Sequence, residues 1–249
     1  KAFIDRIESG VSVNATDTPA EGEQFGVLKT SCVYTGQFDA AENKAVVNAE
    51  YDRVACPVEA NTLIVSRMNT PDLVGAAGLT KSGHPTLFLP DRLWQVFPKD
   101  TRADFMHFWT RTASYRAQVE MACAGTSSSM QNLGQDDFRS FMFVSPPPDE
   151  QAGIASFLDR ETAKIDALVA EQEQLITLLK EKRQAVISHA VTKGLDPSVP
   201  MKDSGVEWLG EVPAHWQVKA IKRLSQVLRG ASPRPIDDPK YFDDEGEYA

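Results

Sequence analysis

The feature that most limits the fold is a run of some forty residues that opens on three prolines, "SPPPDEQAGIASFLDRETAKID" (145–166) and onward. Stepping alternately four and three residues from Ile154 to His189 visits eleven positions. Seven of them are apolar: Ile154, Leu158, Ile165, Leu168, Leu175, Leu179 and Val186. That repeat is the seam of a helix packed against another helix. Phe157, Val169, Ile176, Leu178 and Ile187 widen the stripe, and Glu161, Gln172, Lys182 and His189 interrupt it and would fix its register. Asp149 is the expected N-cap, and Gly and Pro stay scarce until Gly194, Gly153 apart. A helix from 149 to about 190 is on the order of 60 Å long at 1.5 Å per residue. It cannot bury the stripe alone. The partner must come from another part of a longer chain or from another subunit, so the helix reads as a spacer between two surfaces.

Residues 1 to about 145 alternate short β-type runs with turns. The strand candidates are 25–34, 61–68, 85–90, 93–98 and "FRSFMFVS" at 138–145. Between the last two, Phe105, Phe108, Trp109, Val119 and Ala122 give a helical period, with Asp100 or Thr101 as cap, a break near Ser114 and Gly125 as terminator. This is a mixed α+β domain. After Gly194 comes a Pro/Gly-rich connector, then an echo of the start: setting Gly230 on Gly10 aligns Leu224 with Ile4, Val227 with Ile7 and Ser232 with Ser12, and "EGEYA" (245–249) follows as "EGEQF" (21–25) does. A repeat of one globular domain plus one helix is implied.

Composition sets the remaining bounds. The chain has 249 residues, 42% of them apolar and 24% charged, enough for one large or two small domains with a real core. A net charge of -9 argues against coating nucleic acid by charge alone, but not against a local basic face. No apolar run approaches the ~20 residues of a membrane span, and "KAFIDRIESG" lacks the apolar stretch of a signal peptide. The first residue is not Met, so the chain is expected to begin inside a longer product. Cys32, Cys56 and Cys123 read as reduced, mostly buried thiols of a cytoplasmic protein, and no Cys/His cluster suggests zinc.

The residues "PPPDEQAGIASFLDRETAKIDALVAEQEQLITLLKEKRQAVISHAVTKG", then "GVEWLGEVPAHWQVKAIKRL", closely resemble the central region of DNA-specificity subunits of type I restriction-modification systems. "NTLIVSRMNTPDLVG" and "GTSSSMQNLGQDDF" resemble weaker motifs of the target-recognition domain in that family, so the likeness covers about 25–249. "SPPPDEQ" departs from the usual Leu-Pro-Pro-Leu lead-in. The resemblance implies a target-recognition domain over 1–147, a spacer helix over 148–193 packed in an antiparallel coiled coil, a connector over 194–217 and the start of a second recognition domain over 218–249. It implies double-stranded DNA as ligand, with each domain reading half of a split site in the major groove. Modification (methyltransferase) and restriction subunits are the implied partners. S-adenosylmethionine, ATP and magnesium are expected on those partners, with no cofactor or metal in this chain.

Base reading needs donors and acceptors at groove edges. Ser66, Arg67, Asn69 and Thr70 stand just past a strand, where a loop can present them; the alternative is a polar turn capped by Asn69-Thr70-Pro71. "GTSSSMQN" offers Thr126, Ser127 and Ser128 for phosphates and Gln131 and Asn132 for adenine, against a plain surface loop. Residues 61–119 carry seven bases, Lys81 among them, against four acids, or 7 − 4 = +3. "KEKRQ" (180–184) reads first as helix-surface salt pairing. His84, His107, His189 and His215 lack metal spacing, and Trp208 and Trp216 are expected to pack on the second domain. No Walker A loop or methyl-donor turn is visible, and "NTPD" (69–72) lacks the second proline and aromatic of an amino-methyltransferase motif. The chain is therefore expected to be non-catalytic. Two other readings stay open: a coiled-coil scaffold whose head binds protein, and a half-subunit that homodimerises to read an inverted repeat.

Overall fold

The computed structural model describes residues 3–123 and 129–225. The chain divides into two compact units, Lys1–Leu168 and Val169–Ala249.

The organising element of the first unit is a strand buried on both faces. The run Thr62–Ser66, "TLIVS", has no exposed residue. Alternation along a strand sends successive side chains to opposite faces. Leu63 and Val65 join Trp94, Val96, Met106, Tyr115, Val119, Leu133 and Phe138 in one core. Ile64 points the other way, to Leu28, Cys32, Val33, Val58, Leu87, Leu89 and Leu93. A strand covered on both sides reads as a continuous apolar run, which is what the sequence displays.

In chain order the strands of this unit are β1 (Ile4–Ser9), β2 (Gly26–Leu28), β3 (Asn43–Ala45), β4 (Pro57–Val58), β5 (Thr62–Ser66), β6 (Met68–Asn69), β7 (Ala77–Thr80), β8 (His84–Phe88), β9 (Leu93–Pro98) and β10 (Gln131–Asn132). One four-stranded sheet has the order β1-β9-β5-β7 and is antiparallel throughout. A second has the order β3-β2-β8-β4, with β2 and β8 parallel. Gln95, fully buried on β9, bridges toward β4: its Oε1 accepts from Glu59 N at 3.0 Å and its Nε2 donates to Pro57 O at 3.1 Å. Helices α1 (Ala103–Thr110), α2 (Ala113–Cys123) and α3 (Gln135–Ser140) supply the rest of the first core.

Several expectations are corrected. "FRSFMFVS" is not a strand: Phe138 ends inside the core on α3, and 141–147 run on outside any sheet. Phe143 packs edge-on against Phe3, Phe105 and Trp109. Gln118 takes the place of a neighbouring strand, accepting from Met142 N at 2.6 Å and donating to Met142 O at 3.0 Å. The N-cap of α1 is Arg102, with no side-chain cap, because Asp100 adopts φ 55° and Thr101 is engaged elsewhere. The break before α2 comes at Arg111–Thr112, and Thr112 Oγ1 accepts from Tyr115 N at 3.3 Å. Gly125, the expected terminator, lies outside the described residues.

The long helix is present. α4 runs over Pro148–Lys193, 46 residues, against an expected 149 to about 190. Its first helical residue is Pro148 rather than the one after Asp149, since proline at that position loses no hydrogen bond. Its stripe is uncovered: Ile154, Ile165, Leu168, Leu175, Leu179 and Val186 are between 40% and 59% exposed, and Leu158 is half-buried. Gly194, at φ +82°, ends it. The second unit adds a hairpin inside the expected connector, β11 (Met201–Asp203) against β12 (Glu211–Pro213). Trp208 is 86% exposed, while Trp216 lies half-buried near Pro213 and Gly194. Among the described residues no helix is long and apolar enough to cross a membrane.

Candidate nucleic-acid interface

Two segments that the sequence singles out separately meet in space. β6 and β10 form a two-stranded antiparallel ladder, with Gln131 opposite Asn69 and Asn132 opposite Met68. Leu133 N donates to Arg67 O at 2.8 Å and continues the pairing. β6 follows β5 after one residue, so the core strand carries its side of the ladder rigidly. α3, seated in the core through Phe138, follows β10.

The ladder divides its polar residues into buried and presented sets. Ser66 is fully buried and Asn69 is 7% exposed. Asn69 Nδ2 donates to Tyr34 Oη at 2.9 Å and to Ser66 Oγ at 3.1 Å, and its Oδ1 accepts from Thr70 N at 2.9 Å. Both residues are thus committed to holding the loop, and the polar-turn alternative describes Asn69. Arg67 is half-buried, its Nε donating to Asp91 O at 2.8 Å. Thr70 and Asn132 are exposed, as are Ser129 and Met130, and Gln131 is half-buried with an Oε1 that has no hydrogen-bond partner. Thr126, Ser127 and Ser128 lie outside the described residues.

Sequence reasoning missed Tyr34, whose hydroxyl shares hydrogen bonds with Asn69 and with Thr30 Oγ1 at 2.8 Å, and which is 37% exposed. No local pattern marks a contact across 35 residues. The turn after Thr70 is pinned from α2: Tyr115 Oη donates to Gly75 O at 2.7 Å and Arg116 Nη1 to Val74 O at 2.7 Å. Complete burial pushes the Tyr115 phenol up, keeping it a neutral donor. Gly75 has φ +78°, and a Cβ there would come within 2.9 Å of Val119.

Lys81 does not join this surface. Thr80 pairs with Thr62 at the start of β5, whereas Arg67 follows its end. Five residue steps at ~3.4 Å each put them on the order of 17 Å apart along the sheet. Lys81 instead faces Asp159 of α4 at 4.0 Å, beside a cleft of about 360 Å³ lined by Gln37, Asp104, His107 and Asp166 among others. His107 is 4% exposed and bonded to Gly36 O at 2.7 Å; burial holds its pKa below the usual imidazole value. Burial likewise pushes the Cys32 thiol up to about 12, so it is no nucleophile at neutral pH. Among the described residues no group of three or more His, Cys, Asp or Glu could hold a metal ion.

No family model matches the chain. It is 23% identical over 160 residues to the specificity subunit of the type I restriction enzyme EcoEI from Escherichia coli, covering 63% of this chain and 27% of that one. It is 22% identical over 193 residues to the EcoKI specificity subunit of E. coli strain K12, covering 76% and 41%. This chain is a relative of the type I specificity subunits. It spans between about a quarter and two-fifths of the length of those two specificity subunits. Its fold agrees: a chain from a solved type I R-M system superposes with a TM-score of 0.55 at 17% identity, over 76% of this chain and 44% of that one. The mixed head and the long helix are therefore features shared with a type I R-M system chain.

Proposed function

We propose that the chain reads double-stranded DNA sequence-specifically as part of the specificity subunit of a type I restriction-modification enzyme, without catalysing a reaction itself. The observation that carries this reading is the β6–β10 ladder, which brings two candidate recognition segments to one rigid surface, in a relative of specificity subunits. Arg67, Thr70 and Asn132 supply the donors and acceptors that face the groove, with Gln131 half-buried beside them. Ser66, Asn69 and Tyr34 hold the loop behind them.

The uncovered stripe of α4 supports a spacer role. Residues 148–193 pack as one arm of an antiparallel coiled coil, between a recognition domain over 1–147 and, after the connector 194–217, a second one starting at 218. The spacer sets the distance between two half-sites and docks modification subunits; the restriction subunit joins them, and S-adenosylmethionine, ATP and magnesium belong to those partners. The test is selection from random duplexes by the chain together with its modification subunit. A split motif with a constant gap is expected, and affinity falls steeply with salt, the slope counting phosphate contacts. Enrichment of no motif refutes the reading. The stripe also fits a second copy of this chain, which light scattering on the purified chain detects as a dimer.

A further inference from the structure

Gln151 has the burial of a core residue and the chemistry of a surface one. It stands on the first turn of α4, in "PPPDEQ", and is 1% exposed. Its Oε1 accepts from Thr101 Oγ1 at 3.0 Å and from Arg102 N at 2.9 Å. Its Nε2 donates to Pro146 O at 2.8 Å and to Ser145 Oγ at 3.2 Å. An amide has two acceptor sites and two donors, so the group is saturated.

The Arg102 amide is the part of this set that points to a role. Arg102 is the N-cap of α1, and its own side chain makes no capping hydrogen bond. In a capping box, Glu or Gln at the third helical position reaches back to the N-cap N–H. That position in α1 is Phe105, which cannot. Gln151 supplies the missing acceptor from a different helix. Ala155, one turn on, is also 1% exposed and closes the seat. At 100° per residue, positions 151, 155 and 162 share one face of α4, Leu158 lies at its edge, and the uncovered stripe centres about 100° round the axis. One face of the helix is thus keyed to the head and the next is left for a partner.

We infer that Gln151 is the positioning residue that locks the head onto the spacer helix and so fixes where the recognition ladder stands relative to that helix. This rests on the proposed DNA-reading function, in which a spacer without a fixed head sets no gap. The side chain is specific to the task. Glu lacks the two donors and would turn a carboxylate toward the Pro146 carbonyl; Asn is one methylene short of spanning both sides.

The test is a distance distribution measured by double electron–electron resonance on the full chain, with nitroxides at Ser114→Cys on the head and Ala167→Cys on α4, in a Cys56→Ala background. The parent is expected to give one narrow distance. Gln151→Leu, matched in size but without hydrogen bonds, is expected to broaden it, and Gly153→Ala, where a Cβ meets nothing within 4 Å, to leave it narrow. Affinity of the head for a single half-site duplex is expected to stay within about threefold in Gln151→Leu, since the ladder is untouched. If that variant fails to fold, Thr101→Val removes one of the four bonds and is expected to broaden the distribution to a smaller extent. A Gln151→Leu distribution as narrow as the parent's, in a chain that still selects duplexes, overturns the latch alone. A broadened distribution in a chain that selects no duplex supports the latch and refutes the DNA reading on which its purpose rests.

Discussion

The ladder makes a prediction that separates holding from reading, because Asn69 and Asn132 are the same residue type on opposite strands with opposite exposure. Asn69→Ala removes three hydrogen bonds. It strands the Ser66 hydroxyl, fully buried with Asn69 as its partner, and the Thr70 amide. A buried polar group left unsatisfied costs about 1–3 kcal/mol, so the variant should lose about 2–3 kcal/mol in all. For a chain of this size that is a fall in Tm of about 4–12 °C. Asn132→Ala touches an exposed side chain and should change stability by no more than about 0.5 kcal/mol. It should instead lose discrimination at one base pair, about 1–3 kcal/mol or roughly 5- to 150-fold in relative affinity. Differential scanning fluorimetry reads the first effect, and competition anisotropy against single-base variants of the selected duplex reads the second. Equal Tm losses in the two variants, or a Tm for Asn69→Ala like the parent's, would refute the division of the ladder into a buried and a presented set.

The other expectations are simpler. Gly153→Ala, in open space inside α4, should raise stability by about 0.5–1 kcal/mol, seen as a higher urea midpoint at unchanged m. Leu175→Glu with Leu179→Glu, at 47% and 54% exposure, should leave the circular dichroism of the chain unchanged while weakening association with the helix partner by about 1 kcal/mol per residue, measured by sedimentation. His107 has a folded-state pKa below its unfolded one, so its contribution is whole above about pH 6.5 and is lost as pH falls through that value toward the folded pKa. Between pH 7.5 and 5.5 the parent should therefore lose more Tm than His107→Gln, which keeps a donor for the Gly36 carbonyl.

What the sequence displays depends on how local the cause is. α4 is legible because its repeat runs along one element, and β5 and β9 because burial on both faces makes a continuous apolar run. β1 and β7 go unnoticed since "IDRIES" and "AGLT" carry little apolar alternation of their own and owe their state to pairing with β9 and β5. "FRSFMFVS" misleads because four phenylalanine and valine positions mimic a strand, while Gly134 and the acids at 136 and 137 start a helix through Phe138. The two ladder segments are legible singly, as polar loops. Their pairing across some sixty residues is not, and neither is the burial that takes Ser66 and Asn69 out of reach while leaving Thr70 and Asn132 exposed.

Gln151 shows why a spacer helix needs more than length. A helix packed only through its apolar stripe could turn or slide under the head, since apolar contact is non-directional. The bonds from Thr101 and Arg102 to the Gln151 carbonyl tie α4 to the head, while those from its amide nitrogen to Ser145 and Pro146 hold the lead-in to the helix, so a small rotation of α4 breaks the acceptor side. The cost of such a break, about 1–3 kcal/mol for each stranded group, exceeds what a rearranged stripe could return at that single turn. The head's register on α4 is therefore set at the proline-capped end, and the stripe beyond Leu158 is free to be optimised for its partner alone.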